Sequence, residues 1–176
     1  MVFVYKLYRK IKIVVLRFNS RILSKVIESD IRKSGGKVGV NFSVGNDVVI
    51  SGLSNVVIGN NVSIGSGCFI RGDGGLFIGD NVVISRNAVI YTSSHDYKGD
   101  GIPYSGDYIY SPVHIGDNVW IGMNVTISPG ATLGDGSIVA LGTRVYGRVD
   151  RLAIVGSPSI KRIGSRDLEK YEKFKK

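Results

Sequence analysis

Between Ile115 and Val145 an aliphatic side chain recurs at Ile115, Ile121, Ile127, Leu133, Val139 and Val145, a step of six with no slip. A small residue follows most of these positions (Gly116, Gly122, Ser128, Gly134, Ala140). Val119, Val125, Ala131 and Ser137 stand four places after the first four. An amphipathic helix would repeat every ~3.6 residues and a half-buried strand every ~2, so neither fits. A period of six suits short strands that each send one aliphatic side chain to a shared interior and then turn a corner. That is the pattern of a parallel β-helix, an all-β solenoid whose coils must stack because none buries its apolar face alone.

The register extends upstream. Val38, Val44 and Ile50 are six apart, as are Ile58, Ile64 and Ile70, then Ile78, Ile84 and Ile90. Between these blocks the step lengthens by two, which predicts corner insertions at Leu53-Ser54-Asn55 and Asp73-Gly74-Gly75. Gly59-Asn60-Asn61, Gly79-Asp80-Asn81 and Gly116-Asp117-Asn118 supply residues that accept left-handed backbone angles at corners. Cys68 falls four places after Ile64, which predicts a buried structural thiol.

The pattern breaks after Ile90 and resumes at Val113 or Ile115. The intervening loop, 92–112, is thrown out from the solenoid, and long loops on a compact repeat tend to carry function. Its tyrosines Tyr97, Tyr104, Tyr108 and Tyr110 offer flat faces for stacking on sugar rings. Asp73, on the protruding Arg71-Gly72-Asp73-Gly74-Gly75 corner, reads from its own sequence as a solvated turn residue.

Charge divides the chain. Residues 1–37 hold ten Lys/Arg against two acids and residues 161–176 seven against three, whereas 38–160 hold six against nine. A mildly acidic body argues against a nucleic-acid-binding core. The expected organisation is a basic amphipathic helical segment over 1–36, a β-helix over 37–162 and a basic helical tail over 163–176. In the first segment Leu7, Ile11, Val14, Phe18, Ile22 and Val26 recur at helical spacing. Two readings stay open: a cap on the first coil, as solenoids require, and a helix in peripheral contact with an anionic membrane surface. The lone Cys68 fits a reducing compartment, and Lys6, Arg9, Lys10 and Lys12 interrupt any signal peptide. The expected location is the cytoplasm, with the inner face of its membrane as the site of any peripheral contact.

Ile115-Gly116-Asp117-Asn118-Val119-Trp120-Ile121-Gly122, Pro129-Gly130-Ala131-Thr132-Leu133-Gly134-Asp135-Gly136 and Ala153-Ile154-Val155-Gly156-Ser157-Pro158, together with a mid-chain histidine before a loop, carry a resemblance. Over residues 38–162 the chain resembles the hexapeptide-repeat acyltransferases, nearest in pattern to the galactoside, maltose and polysaccharide O-acetyltransferases. The resemblance implies a left-handed coil, a homotrimer with active sites between subunits, acetyl-CoA as co-substrate and a saccharide acceptor. His95 stands where that family has its catalytic histidine, with Asp96 or a backbone carbonyl to hold the imidazole tautomer. Ser94, Asp96 and Tyr97 would line the acceptor side, and Asp73 occupies a corner that contacts the acceptor sugar in sugar acetyltransferases. Trp120 matches a tryptophan near the pantetheine and acceptor. Gly122, Ala140, Leu141 and Gly142 match segments whose backbone meets the pantetheine amides. The family often has Thr-Lys near the coenzyme phosphates; this chain has Tyr146-Gly147, leaving Arg144 or Arg148 to supply that charge.

His114 precedes the inward Ile115 and reads as a surface residue. The gamma-class carbonic anhydrases share the solenoid but bind zinc through three histidines, and a chain with two cannot supply that set, so no metal is expected. The expected activity is O-acetylation of a sugar hydroxyl in a cell-surface polysaccharide, such as an O-antigen or capsule, or its precursor. The alternatives are N-acetylation of an amino-sugar nucleotide and a non-catalytic solenoid that serves as a binding module.

Overall fold

A computed structural model describes residues 2–157. A single long helix, α1 (Val2–Lys33), leads into a parallel β-solenoid of about six turns, the left-handed β-helix expected. The helical tail expected over 163–176, with Pro158, lies outside the described residues.

The strands fall in chain order. The first turn is β1 (Lys37–Val38), β2 (Ser43–Val44) and β3 (Val49–Ser51); the second is β4 (Val56–Ile58), β5 (Ser63–Ile64) and β6 (Phe69–Arg71); the third is β7 (Leu76–Ile78), β8 (Val83–Ile84) and β9 (Val89–Tyr91). A hairpin, β10 (Ser93–His95) and β11 (Tyr108–Tyr110), interrupts the stack. It resumes with β12 (Val113–Ile115), β13 (Trp120–Ile121), β14 (Thr126–Ile127), then β15 (Thr132–Leu133), β16 (Ile138–Val139), β17 (Arg144–Val145), and ends on β18 (Arg148–Val149) and β19 (Ile154–Val155). Each of the first five turns gives one strand to each of three faces, and the sixth, as described, to two: the first face joins β1-β4-β7-β12-β15-β18, the second β2-β5-β8-β13-β16-β19, the third β3-β6-β9-β14-β17.

Stacking puts like residues in columns. Val38, Ile58, Ile78, Ile115, Leu133 and Val149 are buried behind the first face, and Val44, Ile64, Ile84, Ile121 and Val139 behind the second. Each fully buried side chain of this size stabilises the fold by about 1.5–3 kcal/mol. Val48, Cys68, Ala88, Val125 and Thr143 are buried four residues after the first five second-face strands, and Cys68 is 1% exposed, in the expected inward position. Hexad register survives past Val145, where the repeat looks exhausted in sequence. A shortened corner sets Val149 beside Leu133 and adds a sixth turn.

Corners stack too. Asn41, Asn61, Asn81 and Asn118 all have φ of 57–58°. Their amides form a ladder, each donating to the next at 2.8, 2.9 and 3.1 Å. One residue earlier, the Asp80, Asp117 and Asp135 carboxylates accept backbone N–H bonds from Asn60, Asp80 and Asp117, at 2.6, 2.7 and 3.0 Å respectively.

The helix does cap the first coil, but not with the apolar row that the sequence singles out. Ile31 is buried, and Leu23 and Ile27 pack against the core. Ser20 Oγ donates to the Val44 carbonyl at 2.6 Å, and Ser24 Oγ accepts the Val44 N–H at 2.9 Å while donating to the Ser20 carbonyl at 2.8 Å. Ile11, Val14, Phe18, Ile22 and Val26 are exposed. Spacing alone cannot tell which side of a two-sided helix meets the coil.

Candidate active site

All three corner elaborations fall on one edge of the prism, between the third face and the first. They are a 3-10 turn at Leu53–Asn55, the Asp73 corner and the hairpin β10–β11. The segment expected as a loop is thus an antiparallel arm, with Ser93 opposite Tyr110 and His95 opposite Tyr108. Thr92 pins its root: Oγ1 donates to the Arg71 carbonyl at 2.8 Å and accepts the Gly74 N–H at 2.7 Å. A Cβ on Gly74 would collide with the Thr92 carbonyl oxygen, so the close approach demands glycine there.

His95 ends β10 and is half-buried. Its ring stacks on Tyr104 at 3.8 Å between centroids and on Tyr108 at 4.4 Å. The Arg71 guanidinium lies 4.6 Å over the far end of this series, the Tyr108 ring, and its Nε donates to Asp73 Oδ2 at 2.7 Å. His95, Tyr108, Arg71 and Asp73 therefore form one continuous contact chain along the edge. His95 Nδ1 is buried and has no hydrogen-bond partner among the described residues. A buried polar atom left alone costs about 1–3 kcal/mol and calls for a partner from outside the protomer or a functional reason.

Three expectations need correcting. Asp96 does not hold the imidazole: its Oδ1 accepts the Lys98 N–H at 2.9 Å, and its carbonyl accepts Ser105 N–H and Oγ, closing the arm's tip. No backbone carbonyl bonds Nδ1 either. Tyr104 and Tyr108 are not free stacking faces, since both lie against His95; Tyr97, 71% exposed, and Tyr110 remain open. Ser94 is exposed beside His95. A groove of about 510 Å³ at the root of the arm is lined by Asn55, Asp73, Gly74, Tyr110 and Pro112.

The second group of residues lies on a different edge, between the second and third faces. Trp120, on β13, is exposed, and its Nε1 donates to Ser85 Oγ at 3.3 Å. Gly122 follows β13, and Ala140, Leu141 and Gly142 turn the same corner one coil later. Coil stacking is what requires glycine at 122, because a Cβ would sit 2.6 Å from the Leu141 nitrogen. Gly142 has φ of 69° with open space beside it, and Leu141 is exposed. Beside this corner a groove of about 530 Å³ runs along Gly142, Arg144, Tyr146, Gly156 and Ser157. Gly142, Gly156 and Ser157 give this groove a small-residue lining and Arg144 gives it one guanidinium, a lining compatible with a pantetheine arm ending in phosphates.

Arg144 lies in that groove; Arg148 does not. Arg148 is on the first face, where Nε pairs with Asp150 at 3.2 Å and the side chain lines another groove with His114. The six-residue repeat switches face at every hexad, so two arginines four apart diverge across the shortened corner. His114 is exposed, stacked on Phe77 at 4.7 Å. The residues missed in sequence are Arg71 and the supporting roles of Tyr104 and Tyr108. Tyr108-Ile109-Tyr110, alternating as a strand does, was the available signal for a hairpin partner to Ser93-Ser94-His95.

The six-repeat bacterial transferase hexapeptide family matches residues 112–147, and the hexapeptide repeat of succinyl-transferase matches residues 55–92. Among solved structures, a hexapeptide-repeat acetyltransferase of Vibrio cholerae O1 biovar eltor complexed with acetyl coenzyme A is 26% identical, with a TM-score of 0.68 over 89% of this chain and 90% of that one. A galactoside acetyltransferase in complex with coenzyme A is 27% identical, with a TM-score of 0.65 over 82% and 80%. A maltose O-acetyltransferase from Clostridium difficile 630 is 27% identical, with a TM-score of 0.59 over 86% and 88%. No curated protein matches the chain. The chain thus carries hexapeptide repeats of the bacterial transferase type through both matched segments and shares its stacked-coil fold with these acetyltransferases.

Proposed function

We propose that this protein transfers an acetyl group from acetyl-CoA to a sugar hydroxyl of a cell-surface polysaccharide or its precursor, with His95 as general base. The observation that carries this reading is the placement of His95: fixed between two tyrosine rings at the root of the arm, with Nδ1 buried and unpartnered. An imidazole so held can take the proton of an acceptor hydroxyl as its oxygen attacks the thioester carbonyl. The C–O bond forms, the C–S bond breaks, and His95 returns the proton to the departing thiolate. The thioester is already activated, so no covalent enzyme intermediate is needed. Asp73 and Tyr110 border the acceptor groove, with Ser94 and Tyr97 exposed nearby. Trp120, the 140–142 corner and Arg144 would receive the coenzyme.

His95 and Trp120 stand on different edges of the same prism. A site that uses both draws them from two copies, which supports a homotrimer with its active sites between subunits. A lipid-carried acceptor, met at the inner face of the cytoplasmic membrane, suits the basic front helix.

The experiment is acceptor screening with acetyl-CoA, following free thiol release and product mass. His95→Ala should lower turnover by about 10²–10⁴-fold, the usual share of a positioned general base. Wild-type turnover in that variant would reject the assignment. Product acetyl groups should be lost in mild alkali, as esters are; survival would mark an amide and transfer to nitrogen.

A further inference from the structure

The helix α1 is longer than its cap requires. From Ser20 to Ile31 it is anchored on the first coil. Residues 2–19 extend it by about 27 Å at ~1.5 Å per residue, and between Tyr8 and Asn19 every residue whose side chain is described is exposed.

The exposed side is not polar. Tyr8, Ile11, Val14, Val15, Phe18, Ile22 and Val26 form one apolar row, with Val14 66% and Phe18 63% exposed. At ~3.6 residues per turn this row lies about half a turn from Leu23, Ile27 and Ile31. It continues over the anchored part, where Ile22 and Val26 stay exposed while their neighbours pack inward. Capping the solenoid therefore does not account for it. Helical spacing places Lys10, Arg21 and Lys25 along one border of the row and Lys12 along the other, all exposed. Residues 1–27 hold seven Lys/Arg and no acid.

We propose that this outward row lies on an anionic lipid surface, its apolar residues among the upper acyl chains and the bordering cations at the headgroups. Such a helix sinks its apolar face ~5–10 Å into the headgroup boundary. No helix among the described residues is long and apolar enough to cross a membrane, so α1 lies along the surface. Charge decides against a second copy as the occupant. Paired rows would bring like-charged borders together, and a heptad seam begun at Leu7, Ile11, Val14 and Phe18 continues into Arg21 and Lys25. The inference goes beyond the acetyl-transfer reading and stands or falls without it.

Flotation of the full chain tests it, with vesicles of phosphatidylcholine alone and of phosphatidylcholine mixed with phosphatidylglycerol. The protein should float only with the anionic vesicles and be released as salt rises. Lys10→Gln and Lys25→Gln should each weaken binding about fivefold. The pair Val14→Asp and Phe18→Asp should abolish it, with helicity, melting and transfer to a soluble acceptor unchanged because both positions are exposed. Three results would overturn the proposal: no flotation with phosphatidylglycerol, undiminished flotation of the double variant, or loss of oligomeric mass in that variant. The last would make the row a joint between copies.

Discussion

Asn81 sits at φ 57° in the middle of the corner ladder, accepting from Asn61 at 2.9 Å and donating to Asn118 at 3.1 Å. Left-handed geometry disfavours any residue with a branched or apolar Cβ, and asparagine offsets this through its side-chain bonds. Asn81→Ala should destabilise the fold by about 1–2 kcal/mol, read as a lower urea midpoint, and Asn81→Gly by less. Cys68 gives a second test. Its Sγ donates to the Ser85 carbonyl at 3.2 Å, and burial pushes the thiol above its ordinary value of 9.0. Well below that value folded and unfolded chains both keep the proton, so the group is silent. As pH rises through it the unfolded chain releases the proton and the folded chain does not, so stability falls. Urea midpoints on either side should show the fall in wild type and a smaller one in Cys68→Ala. A thiol reagent should label Cys68 only as fast as the protein unfolds.

The arm depends on its root. Thr92 ties the hairpin to the Arg71 and Gly74 backbone through one hydroxyl, buried with its residue. Thr92→Val preserves shape and removes both bonds, leaving the Gly74 N–H without its acceptor. The expected cost is about 1–3 kcal/mol. Hydrogen exchange should quicken first in β10 and β11, with acetyl transfer reduced and coenzyme affinity kept. The converse, lost coenzyme binding with an intact arm, would separate the arm from His95 chemistry. The helix α1 is also two elements in one: its second half closes the solenoid through Leu23, Ile27 and Ile31, and its first half overhangs.

For the whole molecule, the edges decide. If each active site takes His95 from one copy and the Trp120 corner from the next, His95→Ala and Trp120→Ala proteins should each be nearly inactive alone. Refolded together in equal amounts, they should regain up to about a quarter of wild-type activity, because about that share of sites in a closed trimer receives both native residues. No recovery, with mixed trimers confirmed by mass, would place both residues of a working site in one copy.

Six-residue periodicity is enough to specify stacked coils, though not their hand, because a column of aliphatic residues can be buried only by stacking coil on coil. Val38 to Val145 can be assigned inward from spacing alone, and so can Cys68. Gly122 and the asparagine corners belong to the same local rules. Periodicity says nothing about partners that meet through space. That His95 is held by Tyr104 and Tyr108, that its contact chain runs through Arg71 to Asp73 rather than to Asp96, and that Arg144 and Arg148 part company depend on how the arm folds back and where a corner shortens. The apolar row of α1 was plain as a pattern. Only the packed structure decided which side it faces, because the helix carries a second row, Leu23, Ile27 and Ile31, whose shape matches the open end of the first coil.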